Sequence, residues 1–199
     1  MADIFTGSAT VSKAFQQNGW RVGTTCESGH EQQKCVKKVH NHAPIRSFKD
    51  LTPEHLAGHF LVFASPPCAA FSKAGNRLGW DDERSHYFVD MVAPVIQAEV
   101  PVLVMENVPD VLAKWKRPDG RYISPCEEAM EKLAEAGYIV SYEHMNAGDY
   151  GGWVSRDRVF LQAVRGDLVD HLKRKDRKDK ANKLKQADSS GQLAEILNT

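Results

Sequence analysis

Two side chains have the types and settings needed for covalent chemistry on a planar ring. Cys68 follows an apolar run and the stiff pair Pro66-Pro67, which lack backbone donors and fix the approach to the thiol. Glu106 ends a second apolar run, Val102 to Met105. A thiolate can attack an electron-poor ring while a carboxylic acid protonates a ring nitrogen. The sequence therefore predicts a nucleophile and an acid that act on one substrate.

A second pair, Gly7 and Glu27, has the spacing of a nucleoside site. A glycine turn and an acidic residue about 20 positions further along hold the ribose in many strand–turn–helix–strand units. Ala9 and Thr10 stand where dinucleotide-binding turns carry further glycines. The pattern therefore favours a nucleoside without phosphates, such as S-adenosylmethionine, over NAD.

Strands that alternate with helices must position these residues. The apolar runs and turn signals predict an α/β fold, a doubly wound and mostly parallel sheet. In such sheets ligands bind at the carboxyl ends of the strands, where Gly7, Glu27, Cys68 and Glu106 all fall. Strands are expected at 3–5, 21–25, 60–64, 102–105, 138–143 and 159–164, and helices at 11–18, 31–39, 85–99 and 124–136.

Composition bounds the remaining possibilities. The 199 residues carry no net charge, so any binding of a polyanion must depend on a local cluster of basic residues. Four irregularly spaced cysteines and the absence of a long apolar run predict a cytoplasmic protein without a membrane segment. The composition changes at Arg165, which predicts a catalytic domain over 1–164 and a charged tail, helical or disordered, over 165–199.

Five segments resemble the ordered motifs of the cytosine-C5 DNA methyltransferases. These segments are Asp3-Ile4-Phe5-Thr6-Gly7, the run from Pro66-Pro67-Cys68 to Gly75, Glu106-Asn107-Val108-Pro109, Asn146 to Gly151, and Arg156-Asp157-Arg158-Val159-Phe160. Val154 stands where the family has glutamine, and Trp153 replaces the preceding proline. The resemblance covers roughly residues 3 to 164.

The resemblance implies a Rossmann-like methyltransferase and a role for each matching residue. Cys68 would add to carbon 6 of cytosine, Glu106 would protonate or hydrogen-bond N3, and Asn107 would orient the Cys68 loop. Arg158 would bind O2 and Arg156 would steady the loop or backbone. S-adenosylmethionine would be held by Asp3, Phe5, Thr6, Gly7, Glu27 and Pro66, with Glu27 on the ribose hydroxyls.

The resemblance also implies a substrate, duplex DNA, from which the target base must be flipped. No segment after Val164 resembles the family's target-recognition region, so we expect low sequence selectivity or a second polypeptide that supplies recognition. Two alternatives stay open: a tRNA cytosine-C5 methyltransferase, and a noncatalytic, degenerate binding or decoy protein.

A cluster of five potential zinc ligands offers a rival chemistry. Its residues are Cys26, His30, Cys35, His40 and His42. The spacings are not the tight pairs of known zinc modules, so we expect no metal site and assign Cys26, Cys35 and Cys126 to structural roles.

Overall fold

Six strands form one sheet in the computed structural model, which describes residues 1–67, 80, 83–117, 119–176 and 178. The strands are β1 (Ala2–Ile4), β2 (Thr24–Cys26), β3 (Leu61–Ala64), β4 (Val102–Asn107), β7 (Tyr138–Asn146) and β8 (Asp157–Arg165). Their spatial order is β2-β1-β3-β4-β8-β7. β2, β1, β3 and β4 run parallel, whereas β8 pairs antiparallel with β4. The predicted α/β class with a mostly parallel sheet is confirmed.

Six helices and a small hairpin accompany the sheet within the part of residues 1–164 that the structure describes. The helices are α1 (Thr10–Gln17), α2 (His30–His40), α3 (Pro53–Leu56), α4 (His86–Asp90), α5 (Val92–Gln97) and α6 (Pro125–Glu135). Short 3-10 turns lie at Phe48–Asp50, Glu83–Ser85, Pro109–Leu112 and Ala147–Tyr150. The hairpin is β5 (Trp115–Lys116) with β6 (Tyr122–Ile123), paired antiparallel.

The alternation of β4 separates two cores. Leu103 and Met105 are fully buried with residues of α4, α5 and α6 on one face of the sheet. On the other face, Phe63 packs with Val11 and Phe15 of α1. Because successive side chains point to opposite faces of a strand, this pattern decides which face each polar residue at the strand end will reach.

The helix predicted over 85–99 is two helices instead. α4 ends at Asp90 and α5 begins at Val92. Pro94 explains the break, because a proline lacks the N–H that would bond to the carbonyl four residues earlier, and its ring clashes with that carbonyl. The carbonyl in question belongs to Asp90, where α4 ends.

Other boundaries also differ from the sequence prediction. The strand expected at 21–25 is shorter and begins at Thr24. β7 extends to Asn146 and β8 begins at Asp157, so both strands reach further towards their connecting loop than expected. The β5–β6 hairpin and α3 were not predicted, because runs of two to four residues carry little periodicity.

The chain divides into two compact units between Val164 and Arg165. In the second unit, residues 166–176 form a helix, and the Arg165 guanidinium contacts Asp167 at 2.7 Å. Within the described residues, no helix is both long and apolar enough to cross a membrane.

A capping box starts α6. The Ser124 hydroxyl accepts a hydrogen bond from the Glu127 N–H at 3.0 Å, and the Glu127 carboxylate accepts one from the Ser124 N–H at 3.1 Å. Both bonds satisfy amides that the first helical turn leaves without partners. Ser124 is fully buried, and α6 carries Leu133 into the main core.

Replacing the cap tests how far α6 depends on it. We expect Ser124→Ala to lower the free energy of unfolding by roughly 0.5–2 kcal/mol, since the Glu127 amide loses its acceptor. Urea denaturation monitored by circular dichroism measures the change. The exposed Ser141→Ala in β7 is the matched control, and equal midpoints for the two variants would contradict the capping role.

Candidate active site

A pocket of about 530 Å³ opens at the carboxyl ends of β1, β3 and β4. β8 runs antiparallel to β4, so its first residues reach the same edge. Polar groups and aromatic rings share the lining. It consists of Phe5, Thr6, Gly7, Ser8, Thr10, Val11, Phe63, Ser65, Glu106, Met145, Asn146, Ala147, Tyr150, Arg156, Arg158 and Phe160.

The turn after β1 forms one wall and is wound tightly. Phe5, Gly7 and Ala9 all have positive φ, at 60°, 56° and 63°. Such a conformation is strained for residues with a Cβ and easy for glycine. The Thr6 hydroxyl donates to the Asp3 carbonyl at 2.7 Å, and the Thr6 N–H donates to the Cys26 carbonyl at 3.0 Å. The turn is therefore held in place by β1 and β2.

Glu27 joins this turn to the start of α2. Its Oε2 accepts a hydrogen bond from the Gly7 N–H at 2.7 Å, and its Oε1 accepts one from the Gly29 N–H at the same distance. Each carboxylate oxygen has a second lone pair that can accept another bond. Glu27 thus fixes the turn and still offers two acceptor positions.

An aromatic cluster supports the first residue of the turn. The Phe5 ring lies 5.1 Å from the Phe48 ring and stacks on Tyr87 at 6.0 Å, between centroids. Phe48 and Tyr87 also contact each other at 5.2 Å. These ring contacts stabilise Phe5 in its strained conformation and leave it in the pocket wall.

Glu106 and Arg158 form an ion pair in the pocket. Arg158 Nε lies 2.6 Å from Glu106 Oε1, and their side chains are 21% and 19% exposed. In the β4–β8 register Glu106 faces Phe160, so Arg158 is its diagonal neighbour on the same face. Partial burial strengthens the attraction, which holds both side chains at the strand ends.

Asn107 faces the opposite side of β4 and is 2% exposed. Its Nδ2 donates to the Pro66 carbonyl at 3.1 Å, and its Oδ1 accepts from the Val108 N–H at 2.9 Å. The amide therefore ties β4 to the segment that leads from β3 towards Cys68. Cys68 itself lies outside the described residues, so its role stays a prediction.

The predicted site residues that the structure describes divide into two groups. Those that line the pocket are Phe5, Thr6, Gly7, Glu106, Arg156 and Arg158. Asp3, Glu27, Pro66 and Asn107 do not line it. Their contacts support the pocket wall, as described above for Glu27 and Asn107.

The apolar part of the pocket was not predicted from the sequence. Val11, Phe63, Met145 and Phe160 line it, together with Tyr150. The alternation of β8 carried a usable signal, because Phe160 is two residues from Arg158 and must share its face. The contribution of Met145 could not be read from the sequence, since it depends on how far β7 extends.

A buried polar network lies behind the turn. Asp3 is 2% exposed, and its Oδ2 has no hydrogen-bond partner among the described residues. Burial raises the pKa of Asp3 to about 6, although hydrogen bonds from Ser12 oppose the rise. His40 Nε2 lies 2.8 Å from the Ser12 hydroxyl. Burial, and then the neighbouring His42, lowers the pKa of His40.

The residues weighed as zinc ligands make other contacts. His42 Nε2 lies 3.0 Å from the Thr25 hydroxyl, and its ring stacks on that of His40. Cys26 is buried, and burial raises its pKa to about 12, whereas Cys35 is exposed. Over the described part of the chain, no three His, Cys, Asp or Glu side chains are placed to hold a metal ion.

The sheet order and the position of the pocket define a class. A mostly parallel six-stranded sheet with an antiparallel β4–β8 pair, and with its pocket at the strand ends, is the Rossmann-like fold of the S-adenosylmethionine-dependent methyltransferases.

Comparison with known proteins gives the family. The chain matches the family described as C-5 cytosine-specific DNA methylase over residues 1–199, and it belongs to that family. It is 28% identical over 172 residues to the type II methyltransferase M.MthTI of Methanothermobacter thermautotrophicus, covering 84% of this chain and 49% of that protein.

The chain is also similar to a second type II methyltransferase and, in fold, to a solved structure. The type II methyltransferase M.AquIA of Picosynechococcus sp. is 37% identical over 106 residues, which cover 51% of this chain and 42% of that protein. The structure of Spodoptera frugiperda DNMT2 superposes with a TM-score of 0.63 at 20% identity, covering 84% of this chain and 50% of that one. The chain spans about half the length of M.MthTI.

The raised pKa of Asp3 makes stability depend on pH. A group whose pKa is raised on folding favours the folded state below its unfolded pKa, and that contribution is lost as pH rises through the folded value. We therefore expect Asp3→Asn to gain stability relative to the wild type between pH 4 and pH 7, by up to roughly 3 kcal/mol. Urea unfolding at several pH values measures it.

The exposed Asp149→Asn is the matched control for this series. Its stability should follow that of the wild type across the same range. A constant difference between Asp3→Asn and the wild type at all pH values would show that the carboxyl does not titrate in this interval.

Proposed function

We propose that this chain carries the catalytic part of an enzyme that transfers a methyl group from S-adenosylmethionine to carbon 5 of cytosine in DNA. One observation carries the proposal: Glu106 and Arg158 are paired in a pocket at the strand ends, in a chain of the cytosine methylase family. A flat, polar ring can be held by such a pair at its edge.

The Arg158 guanidinium has enough N–H donors to contact Glu106 and a cytosine base at the same time. Its Nε contacts Glu106 and its Nη1 donates to the Asp157 carbonyl at 2.6 Å. A guanidinium has five N–H donors, so Nη2 is left to donate to the O2 atom of a cytosine. Glu106 would then hold a proton at the adjacent N3, and the two side chains would orient the base together.

Covalent catalysis would follow from Cys68. Its sulfur would form a bond to carbon 6 while Glu106 protonates N3, which makes carbon 5 nucleophilic. S-adenosylmethionine, when bound, supplies an electrophilic methyl group. After water takes the proton from carbon 5, the bond from carbon 6 to sulfur would break, N3 would return its proton to Glu106, and Cys68 would leave as a thiolate. The bond from Asn107 to the Pro66 carbonyl supports a fixed approach for this sulfur.

The residues around the turn suit the proposed cofactor. The Phe5 ring offers a face or edge to adenine, and the free lone pairs of Glu27 can accept bonds from two ribose hydroxyls. A carboxylate beside the turn would repel phosphates, whereas S-adenosylmethionine has none and carries a positive sulfonium. Thr6, Gly7 and Ser8 would lie along the methionine part, in the wall of the pocket.

Duplex DNA is the proposed substrate, with the target cytosine turned out of the stack into the pocket. Family membership supports DNA. Unstacking costs roughly a few kcal/mol, which contacts such as those of Glu106 and Arg158 would offset. Two predictions about recognition stay open: low sequence selectivity, or recognition by a second polypeptide. Methylation assays with and without candidate partner chains would distinguish them.

Transfer of a tritiated methyl group to duplex DNA tests the proposed chemistry. We expect Cys68→Ser to give no detectable product, and Glu106→Gln to react about 10²–10⁴-fold more slowly because the proton at N3 is lost. Cys35→Ser, at an exposed cysteine, is the control and should keep wild-type activity. Labelled 5-methylcytosine formed by Cys68→Ser at the wild-type rate would refute the covalent mechanism.

Cofactor binding is tested separately by calorimetry with S-adenosylmethionine. We expect Glu27→Gln to weaken binding about tenfold or more, because an amide group would replace one acceptor of both the turn and the ribose. Glu31→Gln is the matched control, since Glu31 contacts exposed Lys34 on α2. Equal dissociation constants for the two variants would remove Glu27 from the cofactor site.

A further inference from the structure

The loop between β7 and β8 carries exposed apolar side chains, and its residues Ala147, Tyr150 and Arg156 line the pocket. Trp153 is 101% exposed, Tyr150 is 70% exposed and Val154 is 63% exposed. Apolar side chains gain free energy when they leave water, and a tryptophan has the largest area to bury. We call these three residues, two aromatic and one aliphatic, the aromatic tip.

The loop that carries the aromatic tip is rigidly built. Asn146 Nδ2 donates to the Ser155 hydroxyl at 3.0 Å and to Asp157 Oδ1 at 2.8 Å, which closes the base of the loop. The Ala147 N–H donates to the Arg156 carbonyl at 3.0 Å, and the Gly152 N–H donates to the Ala147 carbonyl at 2.8 Å. The exposure of Trp153 is therefore imposed by a hydrogen-bonded frame.

The aromatic tip is continuous with the proposed active site. Tyr150 and Arg156 both line the pocket, and Trp153 lies between them in sequence. Among the described residues, Arg156 makes no ion pair, so its charge faces solvent at the pocket mouth. An exposed aromatic ring three residues from an exposed arginine is a combination with which proteins hold unstacked bases, by stacking and by charge.

We infer that Trp153 stacks on a nucleobase of the substrate next to the target cytosine. The inference rests on the proposed function. When a cytosine leaves the stack, its neighbours lose a stacking partner, and the indole offers a replacement face at the entrance to the pocket. Stacking tolerates any base, so this contact adds affinity without selecting a sequence.

The experiment measures binding of a labelled DNA duplex to the full chain by fluorescence anisotropy. Two duplexes are used, one fully paired and one with a mismatched target cytosine, which leaves the stack more easily. We expect Trp153→Ala to raise the dissociation constant about tenfold or more, and Trp153→Phe to stay within roughly threefold of the wild type. Tyr122→Ala is the matched control, because Tyr122 is an aromatic residue on β6 that is 65% exposed; this variant should bind DNA like the wild type.

For Trp153→Ala, a higher KM for DNA with an unchanged dissociation constant for S-adenosylmethionine would support the stacking role. DNA affinity of Trp153→Ala equal to that of Tyr122→Ala would overturn it. So would loss of self-association in Trp153→Ala with DNA affinity kept, as seen by sedimentation velocity, since the aromatic tip would then bind protein. Trp153-dependent DNA binding without any methyl transfer by the wild type would overturn the proposed function and leave the stacking inference standing.

Discussion

The pairing of β4 with β8 is the constraint on which the rest of the site depends. Because β8 runs antiparallel to β4, the beginning of β8 lies beside the end of β4, and Arg158 meets Glu106 at 2.6 Å. A parallel β8 would bring its far end to this edge and remove the arginine. The same pairing places the loop that precedes β8 above the pocket, so the ion pair and the pocket mouth have one structural cause.

Two successive residues at the end of β4 serve different purposes because they face different sides of the sheet. Glu106 points into the pocket with Arg158, whereas Asn107 is buried and holds the Pro66 carbonyl at 3.1 Å. The first contact orients a reacting group and the second fixes a chain segment. A shift of one residue in the β4 register would exchange the two roles, so the packing of Leu103 and Met105 in the main core also protects the site.

Much of the fold could be predicted, since the apolar runs at 60–64 and 102–105 are strong signals for buried strands. The break between α4 and α5 was also present in the sequence, as Pro94, and was overlooked. The polar network around Asp3 could not be predicted, because it joins residues up to 28 positions apart through contacts that leave no periodic pattern. The ion pair of Glu106 was missed for a similar reason, although both residues were assigned to the site.

Two adjacent glycines of the loop before β8, Gly151 and Gly152, are required for different reasons. Gly151 has a φ of 80°, although a Cβ there would meet no atom within 4 Å, whereas a Cβ at Gly152 would lie 2.6 Å from the Ala147 carbonyl oxygen. Neighbouring positions 153 and 154 meet neither restriction, since their side chains point into solvent. The loop thus combines a frame that restricts substitution with two unrestricted positions, an arrangement in which substitutions can alter what the surface touches without disturbing the sheet beneath. Evolution, or a randomised library, can therefore explore new contacts here at little cost in folding.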